Sequence, residues 1–157
     1  MPRDNQYDEK YTIRELTGHD DLERSISIIN NSFQTVAEQY ALTRENCPSH
    51  PAFMEITALR SLKDKGASLF GLFHEDSQAG FVAVEEEKDG IFYMEKLAVM
   101  PTWRNRGCGA ALVGFIIDFV SNRKGRILSI GMIDKDQGLK QWYRGFGFRE
   151  TMKKDFP

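Results

Sequence analysis

A β-strand that passes through a glycine-rich turn into a helix restricts the fold of this chain more than any other feature. The segment reads Leu97-Ala-Val-Met-Pro-Thr-Trp-Arg-Asn-Arg-Gly-Cys-Gly-Ala-Ala-Leu112. It predicts a strand that stops at the proline and a helix entered through Gly107 and Gly109. Such a turn directs several backbone N–H groups and the positive end of the helix dipole at one position, and Arg104 and Arg106 add charge that suits phosphate. The sequence therefore predicts a pyrophosphate-binding site at this turn.

Two other phosphate-binding patterns do not fit the turn. A dinucleotide-binding turn needs a third glycine, where this chain has Leu112, and an acidic residue at the end of the next strand, whereas Arg126 to Ile133 contains none. A P-loop needs Gly-Lys followed by Ser or Thr, which is absent from the sequence. A glycine turn that binds nothing stays open at this point, because glycines also connect strands to helices for backbone reasons alone.

Length and charge exclude several classes of protein. The 157 residues, 41% hydrophobic and 28% charged, are typical of one globular domain over residues 1–157. A net charge of −2 gives no positive field, so no nucleic acid partner is expected. The N-terminus has no apolar signal core and no run of about 18 apolar residues occurs, so we expect no membrane contact and a cytoplasmic location. Cys47 and Cys108 fit no metal-ligand spacing, which predicts no metal site and indicates a reducing compartment.

Hydrophobic periodicity in the rest of the chain predicts the α+β class. An Asp-Gly pair at 89–90 marks a hairpin, and the strand–helix–strand order around the glycine turn implies one parallel strand pair. Asp20 or Asp21 is expected to cap the first helix and Ser49 the second. The expected architecture is a central mixed, mostly antiparallel sheet flanked by helices on both faces. The predicted strands are 10–16, 67–74, 79–85, 91–100, 126–133 and 146–153, and the predicted helices are about 22–40, 52–63, 107–123 and 137–144.

Two motifs in order resemble the GNAT superfamily of acetyl-CoA-dependent N-acetyltransferases. They are the turn Arg104-Asn-Arg-Gly-Cys-Gly109 and, about 35 residues later, Trp142-Tyr-Arg-Gly-Phe-Gly-Phe148. The resemblance covers a cofactor-binding core of about residues 67–152. The preceding region, about 17–65, matches only in its strand–helix–helix layout and is the part that varies with the acceptor in such proteins.

The resemblance implies how coenzyme A would bind. Its pantetheine arm would lie along the strand before the turn, bonded to the backbone of Leu97 and Val99 on either side of Ala98. Many relatives have an asparagine seven residues before the motif tyrosine, where it bonds the arm, and this chain has Asp136 there. An aspartate can accept a hydrogen bond at that position but cannot donate an amide N–H. The pyrophosphate would meet the backbone N–H groups of Arg104, Asn105, Arg106, Gly107, Cys108, Gly109 and Ala110.

Two residues are candidates for proton transfer. The resemblance assigns Tyr143 the donation of a proton to the departing thiolate, with packing of the last helix as the alternative. Glu95 shares strand parity with Leu97 and Val99, so in a regular strand all three side chains lie on one face and Glu95 could serve as general base. The alternatives for Glu95 are a carboxylate that anchors a cation and an ion pair with an arginine such as Arg144.

Other titratable residues are expected to have structural roles. His50 and Glu38 are interpreted as surface or capping residues, and His74 as a residue that ends a strand. The run from Glu85 to Glu87 is expected to be a solvated strand end, although it could attract a cationic acceptor.

The function expected from the resemblance is transfer of an acetyl group from acetyl-CoA to a primary amine of a small molecule or an exposed protein or peptide amine. Attack on the thioester would be direct. The alternative is a non-catalytic domain that binds acyl-CoA in a regulatory role, and a pure interaction module without a cofactor has little support. Analogy also allows a homodimer formed by pairing of terminal strands, whereas the acceptor itself carries no motif in this sequence.

Overall fold

The predicted strands and helices assemble into one five-stranded sheet with helices on both sides. The computed structural model of the protein describes residues 10–18, 22–132 and 136–150. The strands are β1 (Thr12–Glu15), β2 (Ser68–His74), β3 (Ser77–Lys88), β4 (Ile91–Val99) and β5 (Ile127–Ile130). The helices are α1 (Leu22–Gln39), α2 (Ile56–Asp64), α3 (Cys108–Asn122) and α4 (Gln137–Arg144). Short 3₁₀ turns precede α2 and α3, at Pro51–Phe53 and Pro101–Trp103.

The sheet separates two apolar cores. The strands lie in the order β1-β2-β3-β4-β5; neighbours from β1 to β4 are antiparallel, and β4 and β5 are parallel because α3 connects them by a crossover. Side chains such as Leu72 and Val82 pack with α3, whereas Phe81 and Ala83 pack with α1 and α2. The alternation of apolar residues along β2 and β3 therefore serves both faces, and the predicted mixed sheet with helices on both faces is confirmed.

Several predicted boundaries are wrong. The second helix begins at Ile56 rather than at Ala52, and the residue before it is Glu55, so Ser49 is not its N-cap. The segment before it forms the 3₁₀ turn instead, whose amide at Ala52 donates to Nδ1 of His50. The β3 strand is longer than expected, because it starts immediately after a two-residue turn at Glu75 and Asp76.

The last predicted strand is also wrong in the part that can be checked. Residues 146–150 form a turn and irregular chain rather than a strand. The amides of Phe146, Gly147 and Phe148 donate back to the final turn of α4, and Gly147 has a φ of +100°, so the backbone wraps the helix end. The rest of that predicted strand, 151–153, and the predicted cap at Asp20 or Asp21 lie outside the described residues.

A β-bulge in β4 alters which way its side chains face. The pairing with β3 advances by two residues, from Phe81 to Ala83, while β4 advances by three, from Ala98 to Glu95. The extra residue falls at Lys96, whose φ of +59° is left-handed. An extra residue shifts the alternation by one position, so β4 changes face at this point.

Candidate active site

The C-terminal half of β4 presents a free edge. Its pairing with β5 covers only Ile91–Met94, and β5 ends at Ile130, so in the described part of the chain the residues after Met94 have no partner strand there. Met100 N–H donates to Ala79 O on the β3 side, and alternation turns the N–H of Val99 to the open side, where Ser32 Oγ lies 3.4 Å away. Backbone groups on an open edge can pair with an extended amide-bearing chain, and the contacts expected at Leu97 and Val99 stay predictions.

The bulge makes the predicted orientation of Glu95 wrong. Leu97 and Val99 pack with the core on the α3 face, and Ala98 lies in the core beneath α1 and α2. Glu95 is paired with Ala83, which belongs to the α1 and α2 face. Its side chain therefore lies on the opposite face from those of Leu97 and Val99, because the extra residue at Lys96 resets the parity.

The glycine turn has the shape of an anion cradle. Asn105 and Gly107 both have left-handed backbone, with φ of +64° and +81°. A Cβ built on Gly107 meets no atom of the described residues within 4 Å, so the space above the turn is open. The first N–H groups of α3, at Cys108, Gly109 and Ala110, have no intrahelical acceptor by the geometry of a helix start. Open space above converging amides at a helix N-terminus fits a pyrophosphate.

The two arginines of the turn have different surroundings. Arg104 reaches back to α1, where Nη2 donates to Ser32 O at 2.7 Å and Nη1 donates to Thr35 Oγ1 at 3.3 Å, and its backbone N–H donates to Pro101 O. Arg106 stacks its guanidinium 4.8 Å from the centre of the Trp103 ring. Arg104 is therefore an anchor between the turn and α1, and its guanidinium and N–H are already bonded within the protein.

Replacing Gly107 with alanine should weaken both folding and ligand binding. The left-handed backbone makes a side chain there cost about 1–2 kcal/mol, and the new methyl group enters the open space of the cradle. Gly114→Ala is the matched control, because a Cβ at Gly114 also meets nothing within 4 Å but lies inside α3, where alanine stabilises by about 1 kcal/mol. In thermal denaturation, Gly107→Ala should lower the melting temperature and Gly114→Ala should raise it. In calorimetric titration, only Gly107→Ala should lose affinity for coenzyme A. Equal affinities in the two variants would contradict the cradle.

Tyr143 is a buried phenol with an unengaged hydroxyl. The residue is 8% exposed and its ring packs edge-on against Trp142 and Phe148, with ring centres 4.9 and 5.6 Å apart. The hydroxyl has no hydrogen-bond partner among the described residues. Every fully buried side-chain oxygen of those residues does have a partner, so the Tyr143 hydroxyl is not fully buried and solvent reaches it. Burial raises the pKa of Tyr143, which keeps the phenol protonated at neutral pH and able to donate.

Other residues near the glycine turn and α4 differ in their surroundings. Trp142, the neighbour of Tyr143, is 38% exposed, although its ring contacts Phe146 and lies 3.5 Å from the Cβ position of Gly109. Asp136 caps α4, with Oδ1 accepting from Leu139 N–H at 3.0 Å. Cys108 is buried at the start of α3. Asp136 therefore already bonds the backbone through one oxygen, and its contact with the cofactor arm stays a prediction.

A cleft of about 510 Å³ opens on the sheet face that carries α1 and α2, lined by residues of α2, of the segment 44–55 and of the bulge in β4. Asn30 of α1 fixes one wall, because its Nδ2 lies 3.1–3.2 Å from the carbonyl oxygens of Pro51, Ala52 and Met54. The charged and aromatic side chains that line the cleft include Arg44, His50, Phe53, Glu55, Glu95 and Lys96. The cleft thus brings residues from the variable N-terminal region onto the bulge of β4.

Two carboxyl groups and a lysine lie close together at the bulge of β4. The Nζ of Lys96 lies 3.2 Å from Oε1 of Glu95, and Glu85 of β3 lies near enough to Glu95 for that carboxyl to affect its pKa. Burial, and after it the neighbouring Glu95 carboxyl, raise the pKa of Glu85 and outweigh the opposing effect of Lys96 and Lys65. Glu85 therefore keeps its proton to a higher pH than an ordinary glutamic acid, which reduces the negative charge beside Glu95.

The raised pKa of Glu85 predicts a pH dependence of stability. Between its ordinary value, near 4.5, and its higher folded value, the folded state binds more protons than the unfolded state, so stability falls as pH rises through that window. Glu85→Gln removes this dependence. The difference in melting temperature, variant minus parent, should therefore increase between pH 4 and pH 7. Glu86→Gln is the control, because that carboxylate instead accepts from Gly90 N–H at the hairpin. A parallel shift in both variants would contradict the pairing.

His50 is a donor in this cleft rather than a base. It is buried, and its Nδ1 accepts from Ala52 N–H at 3.2 Å. Burial lowers the pKa of His50 and the positive Lys96 lowers it further, so the ring is neutral at pH 7. The proton of a neutral ring whose Nδ1 accepts lies on Nε2. Its predicted capping role is therefore observed, whereas a surface position is wrong.

The other titratable candidates have structural surroundings. The Nδ1 of His74 lies 2.9 Å from Lys10 O, to which its N–H donates, and its ring packs at a tilt against Trp103. Glu38 accepts from Gln34 on the exposed side of α1. The alternative partner proposed for Glu95, Arg144, is wrong, because the carboxylate bonds Lys96.

Sequence reasoning missed Glu85 and Lys96 as residues of one site. Alternation along β3 could have placed Glu85 on the face of Phe81 and Ala83, where it lies. Lys96 has no such signal, because its position depends on a bulge that neither glycine nor proline marks.

Comparison with known proteins shows a likeness in sequence and in fold. Residues 38–156 match the family model described as an acetyltransferase (GNAT) domain. No curated protein sequence matches the chain. No helix of the described residues is long and apolar enough to cross a membrane, and no group of His, Cys, Asp and Glu among those residues could hold a metal ion.

Three solved structures illustrate the likeness in fold. The ribosomal-protein-S18-alanine N-acetyltransferase from Escherichia coli has a TM-score of 0.74 at 19% identity, over 91% of this chain and 80% of that one. An aminoglycoside acetyltransferase from an uncultured soil metagenomic sample has a TM-score of 0.69 at 18% identity, over 97% and 98%. The PaiA N-acetyltransferase from Thermoplasma acidophilum, in complex with coenzyme A, has a TM-score of 0.68 at 17% identity, over 89% and 90%. At these identities the likeness concerns the fold.

Proposed function

The chain belongs to the GNAT acetyltransferase family, and from that premise we propose that it transfers an acetyl group from acetyl-CoA to a primary amine bound in the cleft on the sheet face that carries α1 and α2. The amine belongs to a small molecule or to an exposed protein or peptide group. The structural neighbours named above act, by their own descriptions, on a ribosomal protein alanine and on aminoglycosides, which are acceptors of both kinds.

One observation carries the proposal. The open edge of β4 has the glycine cradle at its C-terminal end and the carboxyl pair at its bulge. A thioester whose pantetheine arm is bonded along Leu97 to Val99 would have its pyrophosphate above Gly107. Its carbonyl would then lie between the glycine turn and the cleft. The fit is supported by the open volume over Gly107 and by the N–H of Val99, which faces the open side of β4 and makes only a long hydrogen bond, of 3.4 Å, to Ser32 Oγ. Acetyl-CoA supplies the activated acyl group when bound.

The chain's own residues supply the proton transfers. The Glu95 carboxylate takes a proton from the acceptor ammonium, since attack requires a neutral amine. A backbone N–H of the open edge, between Leu97 and Val99, stabilises the negative charge that develops on the carbonyl oxygen. Tyr143 donates its phenolic proton to the departing thiolate, a role that suits a buried phenol whose pKa is raised.

The carboxyl groups of the cleft can receive an ammonium group. The charged lining residues are the acids Glu55 and Glu95 and the bases Arg44 and Lys96, so the attraction of an ammonium is local to the carboxylates, not a property of the whole cleft. Arg44 lies at the outer wall, held over the ring of Phe53 at 5.4 Å. The acceptor that fits is an amine with apolar or aromatic surface next to the nitrogen, because Phe53, Met54 and Leu62 line the same cleft.

A thermal-shift series with acetyl-CoA, coenzyme A, NAD and ATP tests the proposal. Acetyl-CoA and coenzyme A should stabilise the protein, by about 2.7 kcal/mol at 100 times the Kd, and the other two nucleotides should not. Release of free thiol from acetyl-CoA is then followed across a panel of amines that includes polyamines, aminoglycosides, amino acids and peptides. Stabilisation without thiol release from any amine would favour a protein that binds acyl-CoA without turnover. Absence of stabilisation would refute the cradle.

A further inference from the structure

We propose that Lys96 is itself an acetyl acceptor, modified intramolecularly by the site that its own side chain enters. The inference rests on the proposed function, because it uses the same donor, base and acid. It adds a modification site on the chain. Three observations carry it: the backbone conformation at the bulge, the position of the Lys96 ammonium group, and the hydrogen bonds that hold two other partly buried lysines away from the cleft.

The bulge turns Lys96 into the acceptor cleft. In a regular strand, neighbouring side chains alternate, so Glu95 and Lys96 would face opposite sides of the sheet. The left-handed backbone at Lys96, with φ of +59°, brings both side chains to the cleft, where both contribute to the lining. Lysine has no intrinsic preference for this backbone, which costs about 1–2 kcal/mol for an ordinary side chain. The strain is therefore located at the residue that delivers an amine to the site.

The ammonium group of Lys96 lies within hydrogen-bonding distance of the proposed base. Its Nζ is 3.2 Å from Oε1 of Glu95, which is hydrogen-bonding distance from the carboxylate that takes the acceptor's proton. Lys96 also directly precedes Leu97, the first residue of the open edge along which the thioester would lie. The side chains are part-buried, with 24% of Lys96 and 13% of Glu95 exposed, so the pair is sheltered but reachable.

Two other partly buried lysines are held elsewhere. Lys63 donates to Leu16 O at 2.9 Å on the far side of α2, and Lys140 pairs with Glu150 at 2.8 Å beside α4. Neither lysine lines the cleft. Lys96, by contrast, lines the cleft and has a carboxylate within hydrogen-bonding distance of its Nζ.

The transfer balances with the groups already described. Glu95 removes one proton from the Lys96 ammonium, and the neutral Nζ attacks the thioester carbonyl carbon. A C–N bond forms, the C–S bond breaks, and the thiolate takes the phenolic proton of Tyr143. The amide nitrogen then loses its second proton, which passes through solvent to the Tyr143 phenolate, and solvent removes the proton held by Glu95, so the products are N-acetyl-Lys96, free coenzyme A and one released proton. The modified chain has lost the cation that faces the carboxyl pair.

The test is incubation of the full-length protein with acetyl-CoA and no added amine, followed by intact-mass measurement and peptide mapping. A mass gain of one acetyl group at Lys96 is expected, with a rate constant that does not change with protein concentration. Lys96→Arg should prevent the gain, and Lys88→Arg, at the exposed end of β3, should not. Glu95→Gln should slow the gain at least tenfold while coenzyme A still stabilises the variant.

Each alternative outcome is separable. An unmodified parent protein that is stabilised by coenzyme A and acetylates an added amine would overturn the inference and leave the proposed function standing. Equal modification in the Glu95→Gln variant would indicate chemical acetylation by the thioester alone and would also overturn it. A parent protein that coenzyme A does not stabilise would refute the proposed function, and with it this inference.

Discussion

Replacing Tyr143 with phenylalanine is expected to lower the rate of acetyl transfer by about 10²- to 10⁴-fold, the usual contribution of a positioned general acid. The substitution removes only the hydroxyl, which has no partner among the described residues, so the packing against Trp142 and Phe148 is kept. Stability should therefore change little, and affinity for coenzyme A should stay within a few-fold of the parent. The measurement is thiol release with the most active amine of the panel, alongside calorimetric titration.

Trp142→Phe serves as the control for this prediction. The residue is the neighbour of Tyr143 in the same motif, but it is 38% exposed and offers no proton at the pH of the assay. If both variants lose rate and affinity to the same extent, Tyr143 acts by packing the helix against the turn and donates no proton. A selective loss of rate in Tyr143→Phe supports proton donation.

Replacing Glu95 with glutamine should lower the rate at neutral pH by about 10²-fold or more, because the amide keeps the shape of the side chain but cannot take a proton. Part of the rate should return as pH rises and the free amine becomes more abundant, since deprotonation then precedes binding. The rate should be measured as a function of pH for the parent and the variant. Affinity for coenzyme A is expected to stay unchanged, because the Glu95 side chain lies on the face away from Leu97 and Val99.

Glu86→Gln provides the comparison on the neighbouring strand. Its carboxylate is exposed and bonds the Gly90 amide in the hairpin, away from the cleft. A rate for Glu95→Gln within threefold of both the parent and this control would show that solvent alone takes the proton from the amine.

The fold and the cofactor side of the site could be predicted from local signals. Alternation, the Asp-Gly hairpin and the glycine turn each specify structure within a few residues, and Gly107 has the left-handed backbone that its type predicts. Tyr143 is buried at the end of α4, and β4 has an open edge at Leu97 and Val99, which agrees with the positions that the two motifs predict for these residues. Their chemical roles stay predictions until the variants above are measured.

The acceptor side depended on features that the sequence does not mark. The bulge at Lys96 breaks the parity on which the orientation of Glu95 was predicted, and a lysine is no signal for left-handed backbone. The Glu85–Glu95 contact joins two strands and follows from the register of β3 and β4, which is shifted by that same bulge. The irregular end of the chain at 146–150 follows from hydrogen bonds to α4 that outweigh the strand-like alternation of its phenylalanines.

The contacts of Arg104 couple the glycine turn to the helix α1. Its guanidinium joins the glycine turn to Ser32 and Thr35 of α1, and Asn30 of the same helix fixes the wall of the cleft. A ligand at the turn that strengthens these contacts would also stabilise the helix that holds the wall of the cleft, and by linkage a ligand in the cleft would favour binding at the turn by the same free energy. Changes on α1 that adapt the pocket to a new amine would then also alter the affinity for the donor, so donor and acceptor preferences would evolve together.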